Sequence, residues 1–164
     1  MSISLSKITA DGNIDMNAEI LANIMIAAWR GGFCGILEDS IIEKYTEFSG
    51  VKAMFSQLLA SGTGTMYLSQ LYGQPAGLLY WLEENGNARI EALLTIPEAW
   101  GKGVGAALME QALANIAATG HSSVHVWPFT ENHRARRFYE KQGFRPTGLT
   151  RTGDASETEY VYFF

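Results

Sequence analysis

The sequence has little cysteine and few basic residues, and both shortages exclude some classes of structure and function. Cys34 is the only cysteine among 164 residues, so an internal disulfide is excluded and a reducing compartment is favoured. The chain has 12 Lys and Arg against 17 Asp and Glu, a formal net charge of −5. Because nucleic-acid binding depends on basic side chains that neutralise phosphates, we expect no nucleic-acid partner.

Long apolar runs and metal-binding signatures are missing as well. No run approaches the roughly 18 apolar residues that cross a bilayer, and MSISLSKITADGN lacks the basic and apolar regions of a signal peptide. We therefore expect a cytoplasmic protein with no membrane partner. His121 and His125 have no nearby cysteine or carboxylate to complete a ligand set. We interpret them as surface or packing residues and expect no metal.

The first part of the chain shows the spacing of helices behind one short strand. Alternating residues predict a strand over 3–9. An apolar face repeats at helical spacing after Asn17, which we interpret as the helix cap, and the glycine pair at 31–32 predicts the end of that helix. A second helical region is expected to break at the Ser and Gly of 49–50 and to stop at Gly62.

From Thr65 the spacing changes to that of strands. TMYLSQLY, AGLLYWL and ARIEALLTI predict an antiparallel meander. Helices are predicted over 103–118 and from a Thr130 cap to Gln142, and strands over 122–129, FRPTGLTR and ETEYVYFF. We predict one α/β domain over the chain, of the α+β type, with a mixed, mostly antiparallel sheet of about seven strands and about four helices.

The segment IPEAWGKGVGAALMEQAL places glycines at alternate positions immediately before the long predicted helix. Gly101, Gly103 and Gly105 keep Cβ atoms away from a turn where unpaired N–H groups carry partial positive charge. Such a turn can bind a phosphate, and Lys102 can add charge from its rim. The alternative interpretation is a tight turn packed against its sheet.

The same glycines also fit a nucleotide-binding pattern. Gly101, Gly103 and Ala106 satisfy the loose form G-x-G-x-x-A of the dinucleotide fingerprint. That fold requires an acidic residue about 20 positions later, where this sequence has HVWP at 125–128. A dinucleotide-binding oxidoreductase is therefore disfavoured.

Three blocks of sequence share one resemblance. LLTIPEAWGKGVGAAL fits the loop pattern [QR]-x-x-G-x-[GA], with Trp100 in place of Gln or Arg. NHRARRFYEKQGFRPTG fits N-x-x-A-x-x-F-Y-x-x-x-G-F, and WRGGFCGIL is similar to W-R-x-A-Y-x-G. In these blocks and in the order of its elements, nearly the whole chain resembles the GNAT superfamily of acyl-CoA-dependent N-acyltransferases, in the form of its small bacterial members.

The resemblance implies acetyl-CoA as cosubstrate, held between splayed strands near 90–96 and 122–128. Backbone amides of Leu93, Leu94 and Thr95 would bind the pantetheine arm and the thioester oxygen. The resemblance also implies that the loop binds the pyrophosphate and that Asn132 contacts coenzyme A. The implied residues for these contacts are Trp100, Gly101, Lys102, Gly103, Val104, Gly105, Ala106 and Asn132. We expect the indole at the first loop position either to weaken binding modestly or to pack over the ligand.

The implied reaction is direct transfer of an acetyl group to a primary amine of a small molecule or of an exposed peptide amino group. Tyr139 matches the family tyrosine that gives a proton to the CoA sulfur, although a tyrosine here can also be simple core. Glu91 is the candidate base if it is partly buried, and otherwise faces solvent or anchors the substrate. No Ser-His-Asp or Cys-His set predicts a covalent acyl-enzyme.

Other interpretations stay open. A noncatalytic acyl-CoA-binding or sensing domain would keep the loop and lose turnover. The basic run HRARRFYEK is interpreted as a solvated helix face, with Arg136 spaced to pair with Glu140 and with no more than one arginine contacting CoA. An acidic group at 38–43 either attracts a cationic amine or solvates a helix. The tail YVYFF either pairs across a homodimer or completes the sheet.

Overall fold

One seven-stranded sheet organises the chain, and the computed structural model describes residues 2–164. The strands are β1 (Ile3–Ile8), β2 (Thr65–Leu71), β3 (Gln74–Glu84), β4 (Asn87–Thr95), β5 (Ser123–Val126), β6 (Arg145–Thr152) and β7 (Ser156–Phe163). Their order in the sheet is β1-β2-β3-β4-β5-β7-β6. Only β4 and β5 are parallel neighbours. The predicted mixed, mostly antiparallel sheet and its meander are confirmed, while β5 is shorter than the predicted 122–129.

Helices cover both faces of this sheet. They are α1 (Ile14–Gly32), α2 (Asp39–Tyr45), α3 (Phe48–Ser61), α4 (Val104–Ala118) and α5 (His133–Lys141), with a 3-10 turn at Pro97–Ala99. One buried cluster joins α1 and α3 to β2 and β3, and the other joins α4 and α5 to the opposite face. Residues 76–81 of β3 are all buried because both of their faces are covered. Among the helices of residues 2–164, none combines the length and apolarity needed to cross a membrane.

Helix α1 begins earlier than predicted. Its cap is Asn13, whose side-chain oxygen accepts the N–H of Met16 at 3.0 Å. Asn17 lies within the helix instead. Both asparagines are suitable caps by residue type, but only Asn13 has the extended backbone that a cap requires. The prediction of Asn17 as the cap is therefore wrong.

The glycines at the other end of α1 serve packing as well as termination. Gly31 and Gly32 are the last helical residues, and Phe33 closes the helix with an N–H donated to the carbonyl of Trp29. A Cβ on Gly31 would overlap Cγ of Pro97. A side chain at this position would therefore push α1 away from the turn that follows β4.

Five helices are present rather than four because the second helical region divides into α2 and α3 before the predicted position. Glu47 caps α3, and its carboxylate accepts the N–H groups of Ser49 at 3.0 Å and Gly50 at 2.7 Å. The predicted break residues are thus the capped first turn of α3. Gly62 ends α3 in a left-handed conformation, as predicted.

Helix α5 also has a different cap from the one predicted. Asn132 accepts the N–H of Ala135 through its side-chain oxygen at 3.1 Å. Thr130 lies outside the helix, where its hydroxyl hydrogen-bonds those of Ser156 and Thr158 on β7. The loop before α5 is thereby tied to the sheet, and the helix starts at His133.

Candidate active site

A cleft opens where two parallel strands stop pairing. β4 and β5 are paired from Ala88 to Ile90 and from Val124 to Val126. β5 then ends, whereas β4 continues along β3 to Thr95. Among the described residues no strand pairs with this last part of β4 on its β5 side. We call this opening the β4–β5 cleft.

The alternation of the antiparallel ladder determines which backbone groups line the cleft. Ile96 donates its N–H to the carbonyl of Ala76 at 3.0 Å, so it faces β3. Successive residues of a strand point their N–H and C=O groups to opposite sides. Leu93 and Thr95 therefore face the β4–β5 cleft, whereas Leu94 faces β3. Of the three expected pantetheine-binding amides, the structure directs two into the cleft.

A β-bulge lies at the closed end of the cleft. On β3, Tyr80 lies opposite Ala92 and Trp81 lies opposite Ile90, which leaves Glu91 as an extra residue on β4. A bulge redirects a side chain and increases the local twist of the sheet. Glu91 is thus positioned where β4 and β5 begin to separate.

The Glu91 side chain is on the α1 and α3 face of the sheet and is 48% exposed. Arg89 holds it through an ion pair of 2.9 Å from Nη1, and Arg89 also pairs with Glu84 at 3.1 Å. The pKa of nearby Tyr80 is raised by burial first and by the negative charge of Glu91 second. This half-exposed carboxylate can meet a ligand that enters from the solvent side.

The glycine loop follows the cleft directly. Gly101 has φ +73° and Gly103 has φ +86°, conformations that favour glycine. Gly103 precedes α4 without a side-chain cap, so the first-turn N–H groups of α4, from Val104 to Ala106, have no partner within the helix. The N–H of Lys102 is already donated to the carbonyl of Ala99 at 3.2 Å. The N–H of Lys102 is therefore occupied, whereas the amides that open α4 are free to bind a ligand.

Glycine is suited to position 105 for a different reason, which is the packing of α4 against α5. A Cβ there would lie 3.4 Å from Cε2 of Phe138. The glycine thus allows α4 and α5 to pack closely beside the loop. The start of α4 therefore packs against the later half of α5.

Tyr139 lies on the other face of the sheet, in the cluster that α4 and α5 form with the strands. It is 6% exposed and belongs to the buried cluster that includes Ile90 and Val126, the last paired residues of β4 and β5. Its ring packs edge-on against Phe138 and Phe144, each with centroids 5.5 Å away. Burial raises the pKa of its phenol. The group therefore keeps its proton at neutral pH.

The hydroxyl of the neighbouring Tyr160 has two hydrogen-bond partners, whereas that of Tyr139 has none among the described residues. Tyr160 accepts a hydrogen bond from Nε of Arg136 at 3.1 Å and donates one to Glu140 at 2.9 Å. Arg136 and Glu140 thus both bind a tyrosine, and the predicted pair between them is wrong. Within residues 2–164 no group hydrogen-bonds the Tyr139 hydroxyl.

Trp100 and Arg134 close the outer end of the cleft. The indole N–H of Trp100 donates to the carbonyl of Thr95 at 3.3 Å, and the Arg134 guanidinium lies 3.7 Å from the ring centroid. Gly32 at the end of α1 faces both side chains. Asn132, two residues before Arg134, is buried and uses its side-chain oxygen as the α5 cap. Its amide nitrogen stays available as a donor.

Sequence reasoning missed the partner of His125, the residue that lies opposite Arg89 on β5. Nδ1 of His125 is 3.3 Å from the carboxylate of Glu159, which also accepts the hydroxyl of Thr147 at 2.8 Å. Nδ1 of His125 and Nε of Arg89, on directly paired residues, are both buried without a well-aligned hydrogen bond among the described residues. The strand position of His125 is readable from the sequence, but its partner comes from the distant β7. Within residues 2–164 no cluster of His, Cys, Asp and Glu is arranged to hold a metal ion.

Comparison with known proteins identifies this arrangement. Residues 32–144 match the model of the Acetyltransferase (GNAT) family. An uncharacterized N-acetyltransferase of Archaeoglobus fulgidus is 32% identical over 129 residues, which cover 74% of this chain and 82% of the relative.

Solved structures show the same fold. The PaiA N-acetyltransferase of Thermoplasma acidophilum, in complex with coenzyme A, matches over 100% of both chains with a TM-score of 0.79 and 17% identity. A streptothricin acetyltransferase described as putative, from Bacillus anthracis in complex with acetyl coenzyme A, matches 62% of this chain and 63% of its own, with a TM-score of 0.57 and 23% identity. The resemblance inferred from three sequence blocks is confirmed, and the chain belongs to the GNAT family of acetyltransferases.

Proposed function

We propose that the protein is an acetyl-CoA-dependent N-acetyltransferase that moves the acetyl group directly onto a primary amine. The observation that carries this proposal is the β4–β5 cleft, which has Glu91 at its closed end and is followed by the unpaired amides of α4. A sensing domain would need the amides and the cleft. It would not need a buried tyrosine whose hydroxyl has no hydrogen-bond partner among the described residues.

The chain offers a matching set of groups for coenzyme A. We assign the diphosphate to the N–H groups from Val104 to Ala106, where the loop glycines keep side chains away. Leu93 and Thr95 present cleft-facing backbone groups to the pantetheine arm. The N–H of Leu93, nearer the closed end, is assigned to the thioester oxygen. A fixed donor there stabilises the negative charge that develops on this oxygen during acyl transfer.

An acceptor amine must lose a proton before it can attack. A lysine-like amine has a pKa near 10.4, so on the order of one molecule in a thousand is neutral at pH 7. We assign proton removal to Glu91, directly or through one water molecule. Its position at the bulge and its partial exposure support this role. The ion pair with Arg89 fixes the direction of the carboxylate.

The departing sulfur must gain a proton. We assign this step to Tyr139, which donates its hydroxyl proton as the carbon–sulfur bond breaks and later recovers a proton from solvent. The raised pKa keeps the phenol protonated until negative charge appears beside it. Released products are then the acetylated amine and free coenzyme A.

Thiol release from acetyl-CoA tests the proposal. The panel contains n-butylamine, spermidine, kanamycin, lysine and a short peptide with a free N-terminus. The proposal expects amine-dependent thiol release with at least one member, in step with acetylated product detected by mass spectrometry. Binding of acetyl-CoA by calorimetry without thiol release across the panel would instead support the sensing domain.

A further inference from the structure

We infer that Nε2 of His125 accepts a hydrogen bond from a second polar group of the substrate amine, so that the site selects amines with a further N–H or O–H group. This inference rests on the proposed N-acetyltransferase activity and deepens it. It names the class of substrate amine, which is diamines and amino alcohols rather than simple alkylamines. It also names the residue that recognises this class.

His125 lies on the face of the sheet that carries the Glu91 side chain. Its neighbours Val124 and Val126 belong to the buried cluster of the α4 and α5 face, so the alternation of β5 turns His125 to the α1 and α3 face. His125 is paired with Arg89 across β5 and β4, and Arg89 holds the Glu91 carboxylate at 2.9 Å. Arg89 thus lies between His125 and the candidate base.

The apolar cluster that α1 and α3 form covers only part of this face. It involves β2, β3 and the later residues of β4, and within residues 2–164 it includes no residue of β5, β6 or β7. Those three strands contribute polar side chains on this side, among them His125, Thr147 and Glu159. A substrate that enters beside Glu91 from the solvent side can therefore meet polar groups on the neighbouring strands.

Glu159 determines which nitrogen of the imidazole carries a proton. Glu159 is 9% exposed, and its carboxylate lies 3.3 Å from Nδ1 of His125 while it accepts the hydroxyl of Thr147 at 2.8 Å. An unprotonated Nδ1 would turn its lone pair against this carboxylate, so the proton belongs on Nδ1. In the neutral ring Nε2 then carries the lone pair and is a hydrogen-bond acceptor.

Nε2 of His125 is the end of this side chain that the protein does not use. Nδ1 is buried, whereas the side chain as a whole is 29% exposed, and within residues 2–164 no group hydrogen-bonds Nε2. His121 differs, because Thr119 contacts its Nδ1 at 2.7 Å and Glu83 contacts its Nε2 at 3.2 Å. His125 can therefore accept an N–H or O–H from a ligand through a nitrogen whose protonation is already fixed.

Two side chains of one sheet face would thus recognise different parts of the substrate. In the proposed reaction Glu91 engages the reacting amine, and Nε2 of His125 accepts a hydrogen from a second group. A simple alkylamine offers no such hydrogen. A site built to hydrogen-bond a substrate O–H or N–H discriminates against the analogue that lacks it.

Steady-state thiol release from acetyl-CoA tests the inference with alkylamines, amino alcohols and diamines, each as the propyl, butyl and pentyl compound. For the wild-type chain we expect kcat/KM of a bifunctional amine to exceed that of the matching alkylamine by about 10-fold or more, mainly through KM. His125→Phe keeps a ring without nitrogens and should lose this preference. Its kcat with the alkylamine and its KM for acetyl-CoA should change little.

Three further variants separate recognition from a structural effect. His125→Gln returns an acceptor oxygen and should recover part of the preference. Glu159→Gln keeps the side-chain shape but allows the proton on Nε2, so it should lose the preference, and it tests the inference if circular dichroism shows that His125→Phe is unfolded. His121→Phe removes an imidazole–carboxylate contact before β5 and should keep the full preference.

The outcomes distinguish the inference from the proposed function. Wild-type activity without a preference for the bifunctional amines would overturn the inference alone. An unchanged preference in the folded variants of His125 and Glu159, or its loss in His121→Phe as well, would do the same. A chain that releases no thiol with any amine would overturn the proposed function with it.

Discussion

Glu91 and Tyr139 lie on opposite faces of the sheet. Glu91 contacts Arg89 on the α1 and α3 face, and Tyr139 is buried with Ile90 on the α4 and α5 face. In direct acyl transfer one proton leaves the amine while another reaches the sulfur. Placing the two groups on opposite faces lets the amine and the departing thiol occupy separate sides of the thioester carbon.

Replacing Tyr139 with Phe removes the hydroxyl and keeps the ring. We expect the kcat for thiol release to fall roughly 10²-fold, because the leaving sulfur loses its donor. Affinity for coenzyme A, measured by calorimetry, should change little. Tyr162→Phe on the same face is the control and should retain turnover. If Tyr139→Phe turns over as fast as the wild type, Tyr139 has no catalytic role.

The carboxylate assignment is tested by comparing two variants on one face. We expect Glu91→Gln to lower kcat by about 10²-fold through loss of the proton acceptor. His125→Gln, on the adjacent strand, should lose only a few-fold in rate. The reverse result would transfer the base role from Glu91 to His125.

The loop is tested by two glycines with similar backbone conformations. Gly103 has φ +86° and Gly62 has φ +67°, so alanine at either position should destabilise the fold by about 1–2 kcal/mol. Only Gly103→Ala should weaken coenzyme A binding, by about 10-fold, since its strain shifts the amides that open α4. Equal affinities in the two variants would show that the loop conformation is not used for binding.

A pH-dependent contribution to stability is expected from Glu47. Hydrogen bonds first from the Gly50 N–H and then from the Ser49 N–H lower the pKa of its carboxyl. Its stabilising effect is therefore present above the ordinary pKa and is lost as the pH falls through the lowered value. Glu47→Gln should have a lower Tm than the wild type at pH 7, and the difference should shrink as the pH falls below the ordinary pKa of a glutamate side chain. A constant Tm difference over this range would contradict the cap.

Much of the fold could be predicted because neighbouring segments of the chain pair with one another. The meander of β2, β3 and β4 follows from three apolar segments and short turns. The residue that caps each helix was harder to predict. Asn13 and Asn17 have the same side chain, and only backbone conformation decides between them. The prediction likewise placed a break at Gly50, where the carboxylate of Glu47 instead stabilises a helix start.

The sequence predicted only part of the candidate site. Alternate glycines before a helix predict an anion site without any knowledge of the partner strands. The cleft depends on where β5 ends, and the His125–Glu159 contact depends on pairing with β7, both set by long-range packing. The family resemblance had already implied a cleft between two splayed strands. The Trp100–Arg134 contact joins two separate blocks, and neither block alone predicts it.

We propose that the amides opening α4 hold the diphosphate of coenzyme A. Calorimetric titration of the wild-type chain with coenzyme A and with pantetheine, which lacks the diphosphate together with the adenosine and its 3′-phosphate, measures what these groups contribute to binding. We predict that coenzyme A binds at least about 100-fold more tightly, in line with the loss of several charge-assisted hydrogen bonds. Equal affinities for the two ligands, or no heat of binding with coenzyme A, would show that these amides do not hold the diphosphate.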